Sequence, residues 1–209
     1  MHSDVLIAAH PGRPACIECR GAVQARRTGP DTVHLVSAAA GPLGGDTIRM
    51  RVIVEAGARL RLRSVAASLA LPGAASARSR TCWLLEVAGD LDLDPEPTVV
   101  AASARHHSDT RLQLTEAAVV RIRERAQIGR SGEREGFWSS SLHADVGPAP
   151  LLRHRVELGA GSLTDDEIAA PTAHVGEFRY PAAETEPAGV TLALARGGCL
   201  SSWQGARLA

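Results

Sequence analysis

The chain of 209 residues contains neither lysine nor asparagine. Its 23 basic residues are therefore all arginine, and 23 acidic residues balance them to a formal net charge of +0. Without lysine the chain can form neither a Walker A phosphate loop nor a lysine Schiff base, and without asparagine it has no N-glycosylation site. The neutral balance predicts no nucleic-acid partner, because such proteins carry a strongly basic surface.

Aromatic residues, cysteines and long apolar segments are also scarce. Aromatic residues make up 3% of the chain and there are four cysteines, which are too few for a disulfide scaffold. No apolar run approaches the roughly 18 residues that span a bilayer. The acidic Asp4 stands where a secretory signal has basic residues. These features predict one cytoplasmic domain over residues 1–209, with a core of Leu, Val, Ile and Ala and no membrane contact.

The dominant pattern along the chain has a period of two, which indicates β-strands. Apolar and basic residues alternate in Thr47–Glu55 and again in Arg59–Arg63, and the glycine-bearing turn Ala56–Ala58 separates them. Two such strands around a short turn predict a hairpin. Similar phrases return at Leu84–Leu93 and Arg155–Gly161. We therefore expect a mainly β fold of stacked β-hairpins and sheets.

Three further segments complete this prediction. The segment Leu112–Ile128 is rich in helix-favouring residues, but the alternation in Ile122–Ile128 favours strands with at most a short helical turn. Val65–Leu71 is compatible with a short helix that ends at Pro72. Val190–Leu194 indicates a final strand after a loop rich in proline and glycine.

A pair of cysteines, Cys16 and Cys19, forms a C-x-x-C motif. Two thiolates at this spacing occur in redox pairs and in half of a structural zinc site. A zinc site needs a second pair, and Cys82 and Cys199 have no partner at ligand spacing. A thiol redox or zinc-binding protein therefore stays an alternative function, against the simpler interpretation of two incidental thiols.

Two adjacent histidines, His106 and His107, are a second weak metal-site candidate. Neutral imidazoles bind nickel and zinc well. Neighbouring residues on a strand point to opposite faces, however, and cannot hold one ion together. We interpret the pair as part of a solvated loop. No sequence motif combines a nucleophile, a base and an oxyanion hole, so we expect no enzyme activity.

Four segments, in order, resemble the urease accessory protein family UreD, also called UreH. They are the glycine loop Gly44-Gly45-Asp46 with its strand and the turn Ala56–Ala58, the segment Ala88–Pro97, the segment Gly129–Glu133 and the segment Leu151–Arg155. No single segment is specific, but their common order from about Leu43 to Leu158 is. The resemblance implies a mainly β assembly with about two short helices.

The resemblance also implies a function. UreD proteins are maturation factors and chaperones that bind apo-urease and the accessory protein UreF. Through UreF they recruit the GTPase UreG, and they assist nickel insertion into the urease active site. The family is associated with an internal polar route for nickel, so we expect transient nickel and no tightly bound cofactor.

The matched motif residues receive two kinds of expected role. Glu133, and after it Glu96, are the candidates for the nickel route, because a moving ion needs weak and exchangeable carboxylate ligands. An ion pair of Glu133 with Arg130 or Arg134 is the alternative. The glycines Gly44, Gly45, Gly57 and Gly89 suit turns with positive φ. The residues expected to be structural are Gly44, Gly45, Asp46, Pro95, Pro97, Gly129, Arg130 and Gly132.

Overall fold

The computed structural model describes residues 1–165, 170–182 and 189–208. This part of the chain forms seventeen strands. They are β1 (His2–His10), β2 (Arg13–Arg20), β3 (Val23–Arg27), β4 (Thr32–Ser37), β5 (Thr47–Val54), β6 (Arg59–Ser64), β7 (Ser68–Ala70), β8 (Arg78–Val87), β9 (Asp90–Leu93), β10 (Thr98–Val100), β11 (Arg105–Leu114), β12 (Val119–Ile128), β13 (Phe137–Val146), β14 (Ala149–Gly159), β15 (Ala173–Tyr180), β16 (Val190–Ala193) and β17 (Cys199–Gly205).

The strands form two sheets that face each other across an apolar core. The front sheet has seven strands in the order β14-β13-β11-β8-β5-β1-β2. The back sheet has ten strands, with the main order β16-β17-β15-β12-β9-β6-β4-β3; β10 pairs with β12 and with β7. Sequential strands therefore alternate between the sheets through the middle of the chain.

Most of the central pairings are parallel, which gives a β-solenoid-like stack. In the front sheet β5 pairs in parallel with β8, β8 with β11, and β11 with β13. In the back sheet β4 pairs in parallel with β6, β6 with β9, and β9 with β12. The front strands β5, β8 and β11 are each followed along the chain by a back strand, β6, β9 and β12 respectively, and each such pair forms one coil of the stack.

The prediction of stacked hairpins is therefore wrong. β5 and β6 do flank the turn Ala56–Ala58, but they lie in different sheets and do not pair with each other. Both strands alternate between apolar and charged residues. Crossing to the opposite sheet lets them bury their apolar faces against one another, as in Val52 and Leu60, both at most 1% exposed. The phrase at Arg155–Gly161 is the end of β14 and the turn after it.

The turns between the sheets stack on one another as the strands do. The Ala88 amide donates to the Val54 carbonyl at 2.8 Å, and the Thr115 amide donates to the Val87 carbonyl at 3.1 Å. These bonds continue the ladder of the front sheet into the turns, which satisfies backbone groups that would otherwise need water. The stacking requires close approach of successive turns.

Glycines serve these turns in two ways. Gly45 and Gly57 have φ values of 96° and 76°, as predicted. The prediction is wrong for Gly44 and Gly89, whose φ angles lie outside the left-handed region. A Cβ atom at Gly89 would lie 2.3 Å from the Ala58 carbonyl oxygen. Glycine is needed there because another backbone passes too close for any side chain.

The expected short helices are absent from the described residues. Residues 65–67 form a bend, and Ser68–Ala70 form the parallel strand β7. The Leu69 amide donates to the Gly41 carbonyl and the Ser68 amide to the Pro97 carbonyl, both at 3.0 Å, so tertiary partners take the bonds that a helix would make internally. No described segment has the helical length and apolarity needed to cross a membrane.

Two other predictions from periodicity are confirmed. The segment Leu112–Ile128 forms the end of β11 and the whole of β12, without a helical turn. The expected strand near Val190 is β16, although part of the preceding loop, residues 183–188, lies outside the described residues.

Candidate functional site

The buried core is divided into two apolar clusters by polar residues at one level of the interior. On β12 the inward position between the two clusters is occupied by Glu124, and on β13 and β14 by Ser140 and His154. Ser108 on β11 lies at the corresponding buried position. On β15 the residue opposite Glu124 is Gly176, and the buried ring of His174, two positions earlier, lies over that glycine. We call these five residues, Ser108, Glu124, Ser140, His154 and His174, the polar layer.

The Glu124 carboxyl group is the only acidic group in the polar layer. It lies half-buried between the sheets, and the Ser140 hydroxyl donates to its Oε2 atom at 2.5 Å. Burial raises its pKa, and hydrogen bonds from Ser140 and Ser108 oppose that shift only in part. No arginine contributes to the balance. Glu124 therefore keeps its proton to a higher pH than an exposed glutamate does.

The two histidines of the layer supply neutral imidazole groups. His174 is 2% exposed, its ring centroid lies 5.5 Å from that of Trp138, and burial lowers its pKa to about 4. Its buried Nδ1 atom has no hydrogen-bond partner among the described residues. Burial also lowers the pKa of His154. At neutral pH both rings are uncharged, which is the form that binds a metal ion.

Two cavities meet at Glu124. The larger, of about 480 Å³, is lined by Glu124 together with His106 and Ser108, and Glu96 lies at its exposed side. The smaller, of about 60 Å³, is lined by Glu124, Ser140 and both histidines of the layer. Glu124 is the one ionisable residue that the linings of these two cavities share. Together the two linings contain Glu96 at the surface, Glu124 where the cavities meet and His174 in the interior.

The predicted pair His106 and His107 lies in strand β11, so the interpretation as a loop is wrong. As expected for strand neighbours, the rings point to opposite faces. His106 is 3% exposed, its Nδ1 lies 2.9 Å from the Ser79 hydroxyl, and burial lowers its pKa to about 4. The His107 Nδ1 lies 2.9 Å from the Ser139 hydroxyl. The structure does not bring the two rings together.

Glu133 is not part of the polar layer. Its carboxylate pairs with Arg130, which is the alternative that the sequence left open. It also accepts hydrogen bonds from the Ala102 amide at 3.0 Å and from the Arg130 amide at 3.1 Å. The bonds from the Arg130 guanidinium, and then these amides, lower the pKa of Glu133 to about 2. Every described contact of this carboxylate holds the loop that contains it.

The C-x-x-C cysteines are likewise not brought together. Both lie on the edge strand β2, three positions apart, so their side chains point to opposite faces. Cys16 is exposed, and the Cys19 sulfur accepts a hydrogen bond from the Ala25 amide at 3.3 Å. Within the described ranges, no three His, Cys, Asp or Glu residues are grouped so that they could hold a metal ion.

Comparison with protein families places this geometry in context. The family model of the UreD urease accessory protein matches residues 15–200. The chain belongs to the UreD family. The matched region includes every strand from β3 to β16 and all five residues of the polar layer.

Curated UreD proteins give the same result at the level of whole sequences. The chain is 40% identical over 174 residues to urease accessory protein UreD 1 of Saccharopolyspora erythraea, which covers 82% of this chain and 66% of that protein. It is 47% identical over 146 residues to UreD of Frankia alni, with 61% and 49% covered. For UreD of Frankia casuarinae the identity is 41% over 176 residues, with 76% and 55% covered. The chain spans about half to two thirds of the length of these relatives.

Other UreD motif residues make hydrogen bonds or close contacts that join neighbouring segments of the fold. The Asp46 carboxylate accepts a hydrogen bond from the Leu43 amide at 2.9 Å. The Pro95 carbonyl accepts one from the Arg125 guanidinium at 2.7 Å, and the Pro97 carbonyl accepts one from the Ser68 amide. A Cβ atom at Gly129 would lie 1.9 Å from the Glu133 carbonyl oxygen, while Gly132 has a φ of 82°.

Sequence reasoning missed the polar layer. The signal for Glu124 was present, because this acidic residue occupies an apolar phase of the alternation in β12, between Ile122 and Ala126. His174 and His154 carried no such signal. Their strands had not been predicted with enough precision to separate inward from outward positions.

Proposed function

We propose that this UreD chain is a urease maturation factor that acts as a scaffold and not as an enzyme. In the cytoplasm it would bind UreF and apo-urease, work with the GTPase UreG bound through UreF, and assist the insertion of nickel into the urease active site. Family membership supports this role, and the relatives are themselves named urease accessory proteins. The observation that carries it furthest is the half-buried Glu124, which both interior cavities share.

The chemistry of the polar layer suits passage of a divalent cation. One carboxyl group, two hydroxyl groups and two neutral imidazoles are ligands that Ni²⁺ can exchange, whereas a cluster of thiolates would retain the ion. The layer interrupts an otherwise apolar interior, where an unaccompanied cation would lose its hydration at high cost. Nickel would therefore follow the polar groups.

The raised pKa of Glu124 gives this carboxyl a specific task. Burial raises the pKa of Glu124, so that loss of its proton is disfavoured unless a positive charge compensates for the carboxylate. An approaching Ni²⁺ would supply that charge and favour release of the proton, leaving a carboxylate that partly neutralises the ion. Glu124 would thus lower the barrier where the two cavities meet.

The test replaces Glu124 by glutamine, which preserves its size and its acceptor for Ser140 but cannot become an anion. The matched control is Glu116→Gln, in the exposed turn before β12. Each variant is expressed with urease and its other accessory proteins in cells that lack the native gene. Urease nickel content, urease activity and retention of UreF in a pull-down are then measured.

We expect Glu124→Gln to lower nickel content and activity about tenfold, in line with losses at residues around metal sites. UreF binding should be unchanged, and the control should match the wild type in every assay. Normal nickel content with Glu124→Gln would contradict the proposed path. Failure of the wild-type chain to bind UreF or urease would contradict the proposed function as a whole.

A further inference from the structure

A groove crosses the outer face of the front sheet, on the side away from the polar layer. It has a volume of about 690 Å³, and residues of β1, β2, β5, β8, β11 and β13 line it, with the acids Asp4, Glu18 and Asp109 among several arginines. We call it the front groove. The residues that matter below are Leu6, Arg51, Leu84, Arg111 and His143.

These five residues form one row across the sheet. Strand pairing places Leu6 beside Arg51, Arg51 beside Leu84, Leu84 beside Arg111, and Arg111 beside His143. Adjacent strands lie about 4.8 Å apart, so Arg51 and Arg111 are separated by roughly 9.6 Å with Leu84 midway. The row therefore presents a leucine between two cations.

Leu84 is exposed at an unusual place. Its exposed fraction is 43%, although β8 is paired on both sides in the middle of the front sheet. The other exposed large hydrophobic residues of the described chain lie at its first residue, in turns or loops, at the first position of β12, or on the edge strand β16. Leu84 and the half-buried Leu6 of the same row give the groove an apolar component between its charged residues.

Of the two arginines in the row, only one is paired with an acidic residue. Arg51 pairs with Glu86 at 2.9 Å, but Arg111 is exposed and its side chain has no ion pair or hydrogen bond in the described structure. The outer face of the back sheet differs, because there Arg121 contacts the carboxylates of Asp92, Asp94 and Glu177. In the front groove Arg49 and Arg80 pair with Asp4 and Asp109, which leaves Arg111 as a cation for a partner.

We propose that the front groove binds an acidic amphipathic helix of a partner protein. In an α-helix, residues seven positions apart lie on one face about 10.5 Å from each other, and the residues three or four positions on lie between them. Two acidic residues at this spacing match Arg51 and Arg111, and an apolar residue between them covers Leu84. This inference does not depend on the nickel path and stands if that path is disproved.

The experiment uses two synthetic helical peptides of 18 residues and identical composition. One places glutamate at every seventh position with leucine three and four positions later; in the other the same residues are scrambled. Fluorescence anisotropy measures binding of each labelled peptide to the full chain. The variants are Leu84→Ser and Arg111→Glu. The control is Arg61→Glu, an exposed arginine on the outer face of the back sheet.

We expect the patterned peptide to bind at least about tenfold more tightly than the scrambled one, and each groove variant to weaken it about tenfold. Arg61→Glu should have no effect. A patterned peptide in which one glutamate of the seven-residue pair is replaced by lysine should restore binding to Arg111→Glu, because the remaining glutamate still pairs with Arg51. Circular dichroism establishes that each variant is folded, and Arg111→Gln replaces Arg111→Glu if the latter is not.

Several results would overturn the proposal. Equal affinity for the two peptides would show that only overall charge attracts them, and an equal loss with Arg61→Glu would show the same. Concentration-dependent dimers that Leu84→Ser abolishes in analytical ultracentrifugation would assign the groove to a second copy of the chain instead.

Discussion

At the scale of single residues, the fold accepts an energetic penalty at Glu124. A carboxyl group in an apolar interior loses its hydration, and two serine hydroxyls replace only part of it. A glutamine at this position would keep the hydrogen bond from Ser140 without an ionisable group. A residue that is worse for stability than its closest neutral analogue points to a role outside stability.

Glu124→Gln should therefore raise the thermal midpoint, by a few degrees at pH 7.5. The folded-state pKa of Glu124 lies above the ordinary value of 4.5, so its contribution to stability falls as the pH rises above 4.5. The gain from Glu124→Gln should accordingly be larger at pH 7.5 than at pH 5. Calorimetry at both pH values measures it, and a lower midpoint at pH 7.5 would show that Glu124 stabilises the fold.

Glu133→Ala should act in the opposite direction. It removes the partner of Arg130 and the acceptor of two backbone amides, so the thermal midpoint should fall by a few degrees. Nickel incorporation and UreF binding, measured side by side, then separate two roles. An equal loss of both assigns Glu133 a structural role. A loss of nickel incorporation with normal UreF binding would instead support Glu133 as a nickel ligand on the route.

At the scale of elements, close backbone approaches decide where glycine is required. Gly44 and Gly45 are neighbours in one loop but differ in their surroundings. A Cβ atom at Gly44 would lie 1.7 Å from the Ser76 carbonyl oxygen, whereas one at Gly45 would meet nothing within 4 Å. Gly45 instead has a φ of 96°, which L-residues rarely adopt.

These differences predict unequal costs for the same substitution. Gly45→Ala should destabilise the fold by about 1 kcal/mol, because it forces alanine into a left-handed conformation. Gly44→Ala should cost about 3 kcal/mol or more, since two backbone segments must move apart. Urea unfolding of both variants compares the costs directly. Equal losses would mean that the loop adjusts to the added atom at Gly44.

The existence of the strands could be predicted from the sequence, but their partners could not. The period of two in Thr47–Val54 reports which residues face inward, and this holds equally for a hairpin and for a strand that crosses to the opposite sheet. The choice between them depends on what covers the apolar face. Likewise, helix-compatible composition in Val65–Leu71 gave way to hydrogen bonds from distant segments, which no local pattern contains.

The candidate site was predictable only where charge broke an apolar pattern. Glu124 did so within a strand that had been identified. Ser140 and His154 belong to strands whose polar residues are common on outward positions, so their inward orientation follows only from the register with β11 and β13. The family motifs pointed to Glu133 instead, whose described contacts stabilise its own loop.

At the scale of the whole molecule, several buried ionisable groups make stability depend on pH. Burial lowers the pKa of His106 and of His174 to about 4 from an ordinary 6.5. In the unfolded chain these two histidines therefore bind protons below pH 6.5, whereas in the folded chain they stay unprotonated down to about pH 4. Folding stability contributed by these groups is complete above pH 6.5 and is lost as the pH falls through this window.

Unfolding measured between pH 7.5 and pH 5 should show this loss. Each histidine is expected to contribute up to about 1.4 kcal/mol per pH unit below pH 6.5. Because Glu124 acts in the opposite sense, the measurement is best made in the Glu124→Gln background. His174→Gln should then make the slope shallower. An unaltered slope with His174→Gln would contradict the assignment.

Because successive coils stack on one another, backbone hydrogen bonds should open more easily at the ends of the stack than in its middle. Strands such as β8 and β11 are paired with a neighbour on both sides, while β2 and β14 are paired on one side only. Deuterium should accordingly enter the amides of these outermost strands first and reach the middle of the ladder last. The outermost strands can thus open while the two cavities between the central strands keep their walls intact.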